Sequence, residues 1–107
     1  MTTAAFKKLR RAVFERAENQ CEGGCGRWIT PDDAHLDHMF GRARRQESVS
    51  NCWALCITCD TAKTVNQPSA AHWLNRFIVH CEEHGYLPEI EIAEARLESL
   101  RAKGLTT

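Results

Sequence analysis

Aromatic residues are scarce in this chain: four Phe, three Trp and one Tyr among 107 residues. A chain this short also has a surface-to-volume ratio that limits apolar burial, so a structural metal would supply stability the core lacks. Net charge is missing as well. Lys+Arg and Asp+Glu stand at 14 each, which removes any global electrostatic argument for nucleic acid. No apolar run approaches the length of a membrane span, and the first residues, MTTAAFKKLRRAVF, form a charged helical pattern without an apolar signal core. There is no internal repeat and no low-complexity segment. These absences predict one domain over residues 1–107, in a cytoplasmic setting and with no membrane partner.

What the chain does have is cysteine, six in all. In a secreted protein six would read as a disulfide framework; in a reducing compartment clustered cysteine favours metal. Cys56 and Cys59 form a Cys-x-x-Cys pair. Cys21 and Cys25 form a second pair around Glu-Gly-Gly, whose glycines permit the tight turn that brings two thiolates to one ion. Together they make a four-thiolate set for structural zinc. Soft thiolates also suit iron–sulfur, but nothing else in the chain suggests redox work. Cys52 and Cys81 are left over and read as small buried hydrophobes. A second site drawn from His80, Cys81 and His84 is the weaker alternative.

Zinc closed off by four thiolates has no open position and performs no chemistry itself. The groups placed to do so are Asp37, His38 and Asp60. Carboxylates suit a hard divalent cation that keeps some of its waters, and a neutral histidine can take a proton from water. Asp60 directly follows Cys59, so a bound zinc fixes its backbone. In a regular strand Asp37 shares a face with His35 and not with His38. Spacing therefore leaves open which histidine works with Asp37, unless a bend at the strand's end brings 37 and 38 together. Packing is the slightly favoured reading of His35.

Around these groups the chain reads as helix over about 4–18, with Phe6, Leu9, Val13 and Ala17 on one stripe. A capped turn or loop at Thr30–Asp33 precedes a short strand over 35–40, a polar loop over 41–51 and a returning strand over 52–55. A helix then runs to about Thr64. Ser69 caps a helix over about 70–84 that Gly85 ends, residues 86–88 link, and a last helix over about 89–103 stops at Gly104. Lys7, Lys8, Arg10 and Arg11 read as a solvated helix face. Arg42, Arg44 and Arg45, a few residues after Asp37-His38, read as phosphate contacts.

The pattern Cys21/Cys25, then Asp37-His38, then Asn51-x-x-x-Leu55-Cys56-x-x-Cys59-x-x-x-Lys63, resembles the zinc-containing HNH endonucleases. The resemblance covers about residues 6–64. It implies an α+β fold: a small zinc-stabilised ββα-metal core with flanking N- and C-terminal helices, the C-terminal extension covering about 69–103. It implies DNA as substrate and phosphodiester hydrolysis as reaction, with His38 as general base. Asp37 would hold the catalytic cation, and Asn51 would steady the loop and orient His38 through the backbone. The family's last histidine is Asp60 here, which favours magnesium or manganese as the second ligand's ion. Arg42, Arg44, Arg45 and Lys63, with Arg27 beside them, would track DNA phosphate. One such site nicks one strand, so a double-strand break would need a homodimer or a protein partner. Small members of the family often come from phage or mobile elements, which by analogy places the protein in the cytoplasm of a bacterial or phage-infected cell. The competing expectation is a zinc-stabilised DNA-binding or assembly module with weak or no cleavage, gripping phosphate in a salt-dependent way.

Overall fold

A computed structural model describes residues 3–40 and 48–104. In chain order these form helix α1 (Thr3–Ala17), strand β1 (Ala34–His38), a 3-10 turn (Val49–Asn51), strand β2 (Cys52–Cys56) and helices α2 (Ile57–Thr64), α3 (Ala70–His84) and α4 (Leu87–Ala102). The result is a small α+β fold with four α-helices and one two-stranded antiparallel sheet among the described residues. No described helix is long and apolar enough to cross a membrane.

The sheet pairs Ala34 with Cys56 at one end and His38 with Cys52 at the other. All five residues of β2 are buried, while β1 keeps an exposed edge. A strand covered on both faces reads as an unbroken apolar run, and Cys-Trp-Ala-Leu-Cys is one. Trp53 anchors the centre: its ring meets Phe77 edge-on at 5.1 Å and Trp73 at 6.5 Å. On α1, Leu9, Val13 and Ala17 recur every four residues and are buried, while Phe6 is only partly covered.

Two boundaries depart from the sequence reading. The strand expected over 35–40 ends at His38: the Met39 amide still bonds in register to the Asn51 carbonyl, but the Asn51 amide turns away to the Ser48 carbonyl and the Phe40 amide bonds the Asn51 side chain instead of a backbone partner. The last helix begins at Leu87, with Pro88 in its first turn instead of in a linker. Proline fits there because its fixed φ is helical and its missing N–H would have had no intrahelical partner. The caps read from sequence are present: the Ser69 hydroxyl accepts from the His72 amide at 3.1 Å, and Gly85 adopts φ 73°.

Candidate metal centre

The stretch between α1 and β1 folds into a short turn that carries Cys21 and Cys25. A bridge between Gln20 and Trp28 closes it, and the Cys21 amide donates to the Arg27 carbonyl at 2.9 Å. The Glu22 amide donates to the Ala54 carbonyl at 2.8 Å, which hangs the whole turn on β2. Gly24 stands at φ 92°, where a side chain would be strained. Gly23 is tight for another reason, since a Cβ there would lie 3.0 Å from Leu55 and 3.5 Å from the Cys59 sulfur.

This turn meets the β2–α2 junction, where Cys56 and Cys59 sit. The sulfurs of Cys21, Cys25, Cys56 and Cys59 all lie within 4.8 Å of one another. Those of Cys25 and Cys56 are 3.7 Å apart. A tetrahedron with zinc–sulfur bonds of about 2.3 Å has edges of about 3.8 Å, so the spacing fits. It is much too long for a disulfide, whose S–S bond is about 2.05 Å, and all six cysteines are free thiols. Two sulfurs already accept backbone amides, Cys21 from Cys56 and Cys56 from Cys59, each at 3.3 Å. Such bonds favour the thiolate.

Burial pushes the thiols of Cys21 and Cys59 up, and neighbouring sulfurs add to the rise. At Cys25 burial acts the same way, but the Arg27 amide and the nearby thiols outweigh it and bring the group below its ordinary value. Four crowded thiols ionise together only with a cation among them. These four residues could hold a zinc ion. Cys52 and Cys81 are fully buried outside this set. Burial first, then the Glu89 charge, pushes the Cys81 thiol up to about 12, which leaves it inert.

The ladder is regular through His38, so Asp37 and His38 leave β1 on opposite faces. The Asp37 carboxylate accepts from the Trp53 indole at 2.8 Å and pairs with the Lys63 ammonium at 3.1 Å. Asp60 lies on the same side, one helical turn before Lys63, with its carboxylate 3.8 Å from the His35 ring. His35 is exposed there, against the packing role expected for it. Asp37, His38 and Asp60 do not form a group whose donor atoms all lie within 4.8 Å of one another. Asn51 is buried and holds the chain immediately after His38. Its backbone carbonyl accepts from Met39 at 2.8 Å and its side-chain oxygen accepts from Phe40 at 2.9 Å. Arg27 is exposed beside Trp28; Arg42, Arg44 and Arg45 lie outside the described residues.

Sequence reasoning missed the buried ion pair behind this site. The Arg16 guanidinium donates to both oxygens of Glu22, at 2.8 and 2.7 Å. It also reaches the Val49 and Cys52 carbonyls, each at 2.7 Å, and the Tyr86 hydroxyl at 3.3 Å. One side chain thus ties α1, the cysteine turn, the start of β2 and the start of α4. Comparison with family models, curated proteins and solved structures returns no match for this chain.

Proposed function

We propose that the chain is a metal-dependent DNA endonuclease of the HNH kind, in which a zinc-stabilised ββα core presents His38 to a phosphodiester. Cys21, Cys25, Cys56 and Cys59 would hold the zinc, as scaffold. Asp37 and Asp60 would hold a magnesium or manganese ion, which when bound offsets charge developing on the phosphate and the leaving 3′-oxygen. His38, on the other face of β1 from Asp37, would accept the proton of the attacking water. Lys63 would contact phosphate, and so would Arg42, Arg44 and Arg45, which lie outside the described residues. Among the described residues no helix is obviously built to read base edges, so cleavage is expected to be sequence-tolerant nicking.

The observation that carries this reading is the Asn51 clamp. Both amides after His38 are bonded to one buried asparagine, which fixes the backbone where a general base must be held still. The order β1–β2–α2, with the sulfur cluster at its turn, supports it too. Lys63 against Asp37 marks that carboxylate as a seat for positive charge. The same pairing also favours a second reading, a DNA-binding module without cleavage, since Asp37 is already satisfied by Lys63 and Trp53.

Supercoiled plasmid separates the two. The zinc-loaded protein with magnesium or manganese should nick it, and His38→Ala should lower the rate by about 100-fold or more while zinc stays bound. Undiminished cutting by that variant would remove His38 as the base. No cutting by the wild type with any divalent ion, alongside salt-dependent retention of DNA, would leave the binding module.

A further inference from the structure

Beside the cysteine cluster lies a polar cleft of about 330 Å³ lined by Arg16, Glu22, His80, Glu83 and His84 among others. Within it the donor atoms of Glu22, His80 and His84 lie within 4.8 Å of one another. His80 and His84 are one helical turn apart on α3, the spacing that stacks two side chains on one face. The third donor comes from the residue next to Cys21, so the cleft joins α3 to the cysteine turn.

We propose that Glu22, His80 and His84 form a second metal site, for zinc or a similar borderline divalent ion, that staples the C-terminal end of α3 to the turn holding the first. This goes beyond the nuclease reading and does not depend on it. The Glu22 Oε1 atom is saturated, accepting from Arg16 at 2.7 Å and from the Ala54 amide at 2.9 Å. Oε2 accepts only from Arg16 Nε, and each carboxylate oxygen offers about two lone pairs. The Oε2 atom is also the one that faces the imidazoles, with His80 Nδ1 at 3.8 Å and His84 Nε2 at 3.9 Å. Those distances are too long for hydrogen bonds. Donors around a zinc ion with bonds of about 2.0–2.1 Å stand about 3.3 Å apart, so an ion would draw the three in by about 0.5 Å.

The partners His80 now has are rings, Trp53, Phe77, His84 and Tyr86. Its Nε2 is buried without a hydrogen-bond partner, and its Nδ1 stands 3.8 Å from the Glu22 carboxylate. Two imidazoles and one carboxylate suit zinc and its neighbours better than magnesium or calcium. The nearby Arg16 charge and the partial exposure of His84 make the second ion the weaker-held one.

The test counts metal on the full-length chain. After dialysis against micromolar zinc, atomic emission should give two zinc ions per wild-type chain and one per His84→Ala chain. Glu83→Ala, on the cleft rim but outside the donor set, should keep two. His84 is partly exposed, so its loss spares the core. Cobalt substitution reports the rest: the first equivalent should bring thiolate charge-transfer absorption, and the second should add only the weak visible bands of nitrogen and oxygen ligation. A single equivalent in the wild type, or two in His84→Ala, would overturn the site.

Discussion

Residues 20–64 and residues 70–102 are held by different means. The described residues of the first stretch form a short turn, two five-residue strands, a 3-10 turn and a two-turn helix, elements too small to persist alone. They converge on four sulfurs and one buried ion pair. The second is a helical hairpin of ordinary kind, with a serine cap, a left-handed glycine at the corner, and Ala71, Leu74, Ala93 and Leu97 buried. Trp53 against Phe77 joins the two. Where elements are short, four sulfurs that could hold an ion stand in for apolar area. In the proposed reading, His38 and the carboxylates lie in that part.

Matched substitutions sharpen that contrast. Cys56→Ser exchanges a single atom and keeps an N-cap acceptor for the Cys59 amide, but removes a thiolate from the cluster. It should abolish stoichiometric zinc uptake and the cooperative thermal transition, because the metal contribution in small zinc domains is on the order of 10 kcal/mol. Leu97→Val, a loss of one methylene in the helical hairpin, should cost only about 1 kcal/mol in a zinc-saturated urea titration. Equal losses would erase the distinction.

Arg16→Met is expected to fall between these. It leaves Glu22 as a buried carboxylate without its partner and strips donors from the Val49 and Cys52 carbonyls. Breaking a buried pair from one side costs about 3–5 kcal/mol. Urea unfolding of the zinc-saturated variant measures it, and a loss below about 1 kcal/mol would mean the ion pair is incidental to the fold.

The parts legible from sequence were those with local signals. Cysteine spacing foretold which four thiols meet, and Ser69, Gly85 and the 3.6-residue stripes located the helices. The regular strand ladder also agrees with the periodicity that separated Asp37 from His38. What the sequence hid is contact between distant residues of unremarkable type. Nothing local distinguishes Glu22 from an exposed turn acid. The residues His80, Cys81 and His84 hint at a second site from sequence, but the third donor of the proposed site is Glu22, which arrives only when the cysteine turn packs on α3. Cys81 is buried elsewhere as an inert thiol.

Residue-resolved amide exchange, on zinc-loaded protein and on the same protein after chelation, tests the division most directly. Chelation should remove protection from the amides of Glu22, Cys56 and Cys59 and from the β1–β2 ladder, while Phe77 and its neighbours on α3 lose less. Unchanged protection of the ladder after zinc removal would contradict the claim that sulfur ligation builds the part of the molecule that carries His38.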